Sequence, residues 1–308
     1  MKKQLLIIVL LLIFLANVSG CGTKKISEEK IYFFSNRFGG KHYTENSGTC
    51  LFENGEVKRL FRHYWFPRAT HDGTKLVAAV SGTKKTIAIV DLKTGIEKRK
   101  ALEHSPQDFC WFSNDFSKLL YIGYDVVSEK ERIFNIYVHD LLTSNEDKLT
   151  NVKDVGSNIY SVSCSPDGKR IVYSVDKSRA YDSGRFVKIM DIETKTEQVI
   201  PFSAGNVAWS RNADIILLWG IYWDGDVRKF GSRTIVYNIK TKTYKKLEKP
   251  EEYFMESDYA FSPDGKKLAY VRHENNGRKT LWTMNIDGTD RKRLLNDKYH
   301  ISKLSWTK

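Results

Sequence analysis

The sequence predicts an all-β fold, a six-bladed β-propeller whose blades are four-stranded antiparallel sheets. The first observation behind this prediction is a repeat, because "SPDGKRIVYSV" at 165–175 returns as "SPDGKKLAYVR" at 262–272. The second observation is the period of that repeat. Weaker copies bring the starting positions to five, at Thr70, Ser113, Ser165, Ser210 and Ser262. Consecutive copies are thus 43 to 52 residues apart, and a period in the forties in a β-rich chain is typical of propeller blades.

Each repeat carries the pattern of four short strands. An aromatic or apolar first strand, such as "VAWS" at 207–210, leads into a turn that contains Asp-Gly in the best copies. Glycine accepts a positive φ without steric cost, so Asp-Gly predicts a tight hairpin into the second strand. The third strand ends in Asp or Asn followed by an aliphatic residue, as in "VKIMDI" at 187–192, and a polar turn precedes a highly charged fourth strand.

The two ends of the chain supply the sixth blade. The C-terminal "ISKLSWTK" at 301–308 has the pattern of a first strand alone, whereas "KIYFFS" at 30–35 and "TCLFENGEVKRLF" at 49–61 have the patterns of the other three strands. The N-terminal strands should therefore pair with the C-terminal strand. That pairing closes the ring and leaves no open sheet edge, and it places the propeller at residues 30–308.

The first twenty residues have the pattern of a targeting signal. Two lysines precede an apolar run at 5–16, which is too short to span a bilayer, and small residues lead to Cys21. This arrangement resembles a bacterial lipoprotein signal, which implies removal of residues 1–20, lipidation of Cys21 and a short tether at 21–29. The alternative is an ordinary signal peptide in which Cys21 has no special role. The resemblance predicts a lipid-anchored protein on the extracytoplasmic side of a cell membrane.

Three further cysteines follow at Cys50, Cys110 and Cys164. Their odd number and wide spacing do not indicate a disulfide framework, and no Cys-x-x-Cys pair suggests zinc. Each lies in an apolar, strand-like segment. The sequence therefore predicts buried free thiols.

The formal net charge of +13 favours anionic partners such as phospholipid or cell-wall polymer, and export makes nucleic acid the least favoured. Basic clusters occur at 98–100, 245–246 and 291–293, each on an expected fourth strand. Charged side chains on an exposed edge strand block pairing with another chain, which is our main interpretation. A basic rim would also keep an anchored protein close to an anionic membrane.

The two clearest repeats, Ser165-Pro166-Asp167-Gly168 and Ser262-Pro263-Asp264-Gly265, are similar to those of the TolB-like six-bladed propellers. The resemblance covers residues 30–308 and implies the fold, but not a function, because unrelated proteins share this blade. We expect the protein to lack the additional domain that precedes the propeller in TolB, because the propeller pattern follows directly on the signal-like segment. The sequence also contains no Gly-x-Ser-x-Gly motif, which a hydrolase domain would carry.

Long loops between second and third strands are expected at 124–132, 176–185 and 221–232, on the propeller face away from the Asp-Gly turns. Function tends to be placed in such loops. The candidate ligand-binding residues combine aromatic and charged groups and are Tyr181, Asp182, Arg185, Tyr222, Trp223, Asp224 and Asp226. This mixture suits sugars, peptides or a protein partner. The alternative is a set of solvated loops without a ligand.

Three histidines suggest a second type of site. His63 and His300 occupy the same place in adjacent repeats, and His104 lies in the next connection of this kind. Imidazole clusters bind zinc, manganese and other divalent metals, and some propeller lyases that act on uronic-acid sugars use clustered histidines. A metal-dependent lyase or hydrolase acting on a carbohydrate is therefore the alternative function. The main expectation is a monomeric, non-enzymatic scaffold that binds a protein, peptide or glycan and needs no cofactor.

Overall fold

The computed structural model describes residues 30–36, 47–113, 115–129, 131–152, 158–176, 185–212, 214–222, 231–247, 253–297 and 299–308. Within these ranges the chain forms 24 strands and no helix. The described residues therefore include no helix that is long and apolar enough to cross a membrane.

The strands belong to six sheets of four, which we number as blades 1 to 6. Blade 1 contains β1 (Lys30–Ser35), β2 (Gly48–Glu53), β3 (Glu56–Arg62) and, from the other end of the chain, β24 (Ile301–Thr307). Blade 2 contains β4 (Tyr64–Ala69), β5 (Lys75–Val80), β6 (Thr86–Asp91) and β7 (Glu97–Ala101). Blade 3 contains β8 (Ser105–Trp111), β9 (Lys118–Ser128), β10 (Glu131–Asp140) and β11 (Glu146–Lys148). Blade 4 contains β12 (Ile159–Cys164), β13 (Arg170–Asp176), β14 (Arg185–Asp191) and β15 (Glu197–Ile200). Blade 5 contains β16 (Asn206–Trp209), β17 (Ile215–Tyr222), β18 (Gly231–Asn238) and β19 (Thr243–Leu247). Blade 6 contains β20 (Tyr253–Phe261), β21 (Lys267–Glu274), β22 (Lys279–Asn285) and β23 (Lys292–Asp297).

The predicted six-bladed propeller and its closure are confirmed. The first strands β24, β4, β8, β12, β16 and β20 contact one another in turn and complete a ring. In blade 1, the N-terminal β1 lies between β24 and β2 and pairs antiparallel with both, with Ile31 opposite Trp306. The split blade thus joins the two ends of the chain by main-chain hydrogen bonds.

The hydrophobic core lies between the blades. Six clusters of buried side chains fill the six gaps between neighbouring blades. Successive residues of a central strand point to opposite faces of the sheet, so each blade contributes to two clusters. In β5, for example, Leu76 packs towards blade 1 and Val77 towards blade 3.

The prediction of three free thiols is wrong for two of them. Cys110 of β8 and Cys164 of β12 form a disulfide with a Cα–Cα distance of 6.1 Å, and Cys50 remains a buried free thiol. The two cysteines are 54 residues apart in sequence. They come together because the first strands of adjacent blades converge at the axis, which the spacing in the sequence does not reveal.

The Asp-Gly turns pack against the corresponding turn of the preceding blade. A Cβ placed on Gly168 would lie 2.5 Å from the carbonyl oxygen of Phe112, and one on Gly73 would lie 2.6 Å from that of Lys308. Gly265 meets Ser210 in the same way, at 3.0 Å. These three glycines, all with φ close to +70°, belong to blades 2, 4 and 6. Blades therefore alternate in turn chemistry, which explains why the strongest repeat in the sequence spans two blades.

One of the three expected loops has regular structure. Residues 124–128 extend β9 and residues 131–132 extend β10, with Phe134 opposite Tyr124 and Glu131 opposite Ser128. Pairing along this segment satisfies the backbone groups that a loop would expose. The expected loop is wrong here, although the segment still projects on the predicted face.

Candidate functional site

A cavity of about 310 Å³ occupies the axis of the propeller and is lined by first-strand residues from all six blades. The first strands are irregular where they line it. Five of them, β4, β8, β12, β20 and β24, change register against the second strand of their blade. Phe66, Asp258 and Lys303 adopt positive φ in these strands. Such bulges redirect side chains and are common beside functional sites.

Two charged groups of the cavity wall are committed to each other. Arg68 forms a 2.7 Å ion pair with the buried carboxylate of Asp108. The backbone amide of Lys303 donates to Asp258, and the Lys303 ammonium group lies over the ring of Phe66, 5.4 Å from its centroid. Aromatic side chains form much of the remaining wall, which therefore offers flat apolar surfaces beside fixed charges.

The predicted ligand-binding residues lie mostly outside the described ranges. This applies to Tyr181, Asp182, Trp223, Asp224 and Asp226. For Tyr222 the structure describes the backbone, which pairs with Gly231. Arg185 is described in full, and its guanidinium lies over the ring of Tyr160 at 4.4 Å. The tyrosine hydroxyl in turn donates to Asp176, which fixes this corner of the loop-rich face.

The three predicted metal-binding histidines have separate environments. His63 is exposed and adopts positive φ between β3 and β4. His300 is within 2.9 Å of the Lys279 ammonium group and 3.0 Å of the Ser302 hydroxyl. Within the described ranges, the ligand atoms that gather within 4.8 Å of one another belong to Glu103, His104 and Glu146. His104 is thus the one predicted ligand that belongs to a compact group of this kind.

The ring of His104 is held in place on three sides. Its Nδ1 lies 2.7 Å from Asp125, and its Nε2 faces Glu146 at 4.0 Å. The ring stacks on Tyr137 with centroids 4.0 Å apart, and Gly123, which has no side chain, leaves room for the Cβ of His104. A carboxylate on one imidazole nitrogen that leaves the other free to ligate is the usual support of a metal-binding histidine.

Glu146 also has a structural role. Burial alone would raise its pKa, but hydrogen bonds from His139 and Tyr121 lower it, so the carboxylate stays charged. Blade 4 repeats the contact, with Tyr173 donating to Glu197. A tyrosine of the second strand therefore holds a glutamate of the fourth strand in both blades, with or without a histidine nearby.

Sequence reasoning missed a cluster at the junction of blades 6 and 1. The hydroxyl of Ser257 lies 2.8 Å from Nε2 of His273, and Lys279 approaches His300. Burial and the nearby Lys279 lower the pKa of His273 to about 4, while Asp258 opposes this shift. These groups come from different strands, and no motif in the sequence connects them.

No protein-family model matches the sequence, and no curated protein matches it. Solved structures match the fold. TolB from Acinetobacter baumannii aligns with a TM-score of 0.69 and 20% identity over 92% of this chain and 67% of that one. A putative TolB from Agrobacterium tumefaciens aligns with a TM-score of 0.59 and 16% identity, covering 88% and 90% of the two chains. An oligogalacturonate lyase in complex with manganese aligns with a TM-score of 0.50 and 16% identity, covering 78% and 71%. These similarities confirm the TolB-like propeller fold that the repeats predicted.

Proposed function

We propose that the protein is an extracytoplasmic binding or scaffold protein, held on the membrane by lipidated Cys21, that recognises a protein, peptide or glycan. The observation that carries the proposal is the axial cavity, which residues of all six blades line and whose wall includes aromatic groups and fixed charges. Pockets that combine apolar walls with a few polar groups are the usual binding sites of folded domains. The closed ring of six blades frames this cavity, as a scaffold for a partner requires.

The disulfide supports export. Disulfides form and persist in oxidising compartments and are rare in the cytosol. Cys110 and Cys164 join two strands at the axis, where the bond lines the cavity. Together with the lipoprotein-like signal before Cys21, this favours an extracytoplasmic location.

The anchor is tested by detergent-phase partitioning and by labelling cells with an alkyne fatty acid. The wild-type protein should enter the detergent phase and carry the label, whereas Cys21→Ser should do neither. Cys50→Ala is the matched control, because it removes the free thiol and leaves the anchor. Label on the Cys21→Ser variant would contradict the proposal.

The partner is tested by cross-linking in cells, followed by capture of the full chain. A Tyr181→Ala/Trp223→Ala variant should lose a partner that the wild-type protein captures, because the sequence predicts these aromatic groups in the long loops of the partner-binding face. Lys245→Ala, on the exposed outer strand β19, is the control and should keep that partner. Equal capture by both variants would place the binding surface elsewhere.

The group Glu103, His104 and Glu146 favours a second candidate, a metal-dependent lyase or hydrolase acting on a carbohydrate. Metal analysis of the purified protein distinguishes the possibilities. Bound metal that is lost in His104→Gln but kept in His63→Ala/His300→Ala would support this group. Loss in both variants would support the three histidines predicted from the sequence. A wild-type protein that binds no manganese or zinc would exclude the metal-dependent enzyme.

A further inference from the structure

The opposite end of the cavity, where the Asp-Gly turns lie, contains an arginine without an acidic partner. Arg211 follows Ser210 in the turn between β16 and β17 and lines the cavity. Among the described residues, no hydrogen bond or ion pair involves its guanidinium. Burial lowers its pKa, and the charge of Asp72 only partly offsets this effect. A partly desolvated cation is costly unless an anion accompanies it.

The acidic groups near Arg211 are already engaged. Asp72 uses one carboxylate oxygen for its own turn, where it accepts from Thr70 at 2.7 Å and from Thr74 at 2.8 Å. Farther along the cavity, Asp108 is paired with Arg68, and Asp258 accepts from the Lys303 amide. Within the described part of the chain, the Arg211 guanidinium is thus left without a hydrogen-bonded carboxylate on the cavity wall.

The groups around Arg211 extend this excess of donors. His71 occupies the place in blade 2 that Arg211 occupies in blade 5, and burial and then the charge of Arg211 lower its pKa. The positive charge of Lys308 lowers that pKa as well. Trp306 lines the same cavity, and its buried indole N–H has no acceptor among the described residues. An acceptor bound to Arg211 would therefore lie near the His71 ring as well.

The backbone at this end is strained. Phe116 adopts a φ of +55° at the position where blades 4 and 6 have Gly168 and Gly265. A bulky side chain in the left-handed region is a true outlier, and such strain is concentrated at functional sites. The strain places the Phe116 ring against His71, with centroids 5.0 Å apart, on the wall of the cavity. An aromatic surface therefore lies beside the basic groups.

We propose that the Asp-Gly end of the axial cavity binds an organic carboxylate, with the carboxylate on Arg211 and its apolar body against the aromatic wall around Phe116. A guanidinium recognises a carboxylate through two parallel hydrogen bonds, and the aromatic wall favours an organic acid over inorganic phosphate. This site goes beyond the proposed function, because it lies at the end of the cavity away from the loop-rich face. The carboxylate can come from a small organic acid or from the end of a peptide.

The test is calorimetric titration of the full-length protein, purified in detergent, with N-acetylphenylalanine and with its amide. The acid should bind about 10- to 100-fold more tightly than the amide, which is the usual worth of a charge-assisted hydrogen bond. A pentapeptide that ends in phenylalanine shows whether the carboxylate belongs to a peptide or to a small acid. A site for peptide ends should bind the pentapeptide and the small acid equally tightly, whereas a site for small acids should bind the pentapeptide more weakly. Inorganic phosphate that binds as tightly as the acid would contradict the role of the aromatic wall.

Arg211→Gln should reduce binding of the acid to the level of the amide. Its melting temperature should be equal to or higher than that of the wild-type protein, because no described contact of the guanidinium is lost. Arg211→Lys keeps the charge without the two parallel donors and should bind with intermediate affinity. Arg99→Gln, on the outer strand β7, is the matched control and should bind like the wild-type protein. Four results would each overturn the proposal. They are unchanged binding of the acid by Arg211→Gln, equal binding of the acid and the amide, no binding of the acid by the wild-type protein at millimolar concentration, and a large fall in the melting temperature of Arg211→Gln.

Discussion

The disulfide between blades 3 and 4 should stabilise the propeller by several kcal/mol. Cys110 and Cys164 close a segment of 54 residues, and the loss of chain entropy in the unfolded state for a loop of this length corresponds to about 4 kcal/mol at 25 °C. For a domain of this size, with an unfolding entropy of about 2.1 cal/mol/K per residue, this amounts to about 7 °C in melting temperature. We therefore expect Cys110→Ser/Cys164→Ser to melt about 7 °C below the wild-type protein.

The assay is thermal unfolding followed by circular dichroism, with and without a reducing agent. Reduction should lower the melting temperature of the wild-type protein and leave that of the double variant unchanged. Alkylation followed by peptide mapping should modify Cys50 in the unfolded chain and leave Cys110 unmodified until reduction. Equal melting temperatures for the wild-type and double-variant proteins would refute the entropic reasoning, and alkylation of Cys110 without reduction would refute the bond itself.

Three further predictions concern titration and backbone geometry. Since the pKa of His273 falls from its ordinary 6.5 to about 4 on folding, the unfolded chain takes up the proton first, and stability should be lost as the pH falls from about 6.5 to about 4. The full pKa shift corresponds to a loss of about 3 kcal/mol in the free energy of unfolding, and partial exposure to solvent reduces this loss to about 1–2 kcal/mol. Denaturant titrations at pH 7 and pH 4.5 measure it, and stability should depend less on pH in His273→Gln than in the wild-type protein. Gly168→Ala should lower the free energy of unfolding by at least about 2 kcal/mol, because the position combines a positive φ with a backbone oxygen 2.5 Å from the added Cβ. Gly95→Ala should lower it by only about 1 kcal/mol, because that position has a positive φ but open space around it. Equal losses would contradict the packing argument. Arg211→Gln should raise the pKa of His71, because a nearby positive charge is removed, and an NMR titration that finds no upward shift would contradict their proximity.

The repeat predicted more of the fold than of the site. Ser165-Pro166-Asp167-Gly168 and its relatives mark a local structure, a hairpin whose turn chemistry depends on adjacent residues, so the sequence reports it directly. Successive residues of a strand point to opposite faces, so an apolar second strand such as β5 buries Leu76 on one face of its blade and Val77 on the other. Strand order followed from the count of strands at the two ends, because a ring with an unpaired edge is disfavoured.

The prediction of sites was less successful, because a site is a meeting of residues from different blades. His63 and His300 share a position within their repeats and His104 lies in the next connection of the same kind, but His104 and His300 take their partners from different strands. His104 faces Glu146 of the outermost strand of its own blade, and His300 faces Lys279 of blade 6. The period of the repeat carries no information about these encounters.

The class of fold, the number of blades and the closure of the ring follow from the sequence alone, since periodicity and turn residues are properties of neighbouring positions. Which distant side chains meet at the axis depends on the tertiary structure. The tertiary structure joins Cys110 to Cys164 and leaves Arg211, beside the cavity, without a hydrogen-bonded carboxylate among the described residues. The physical reason is convergence: six first strands, each separated from the next by a whole blade of sequence, approach one axis, and their contacts there depend on bulges, ring closure and packing between blades.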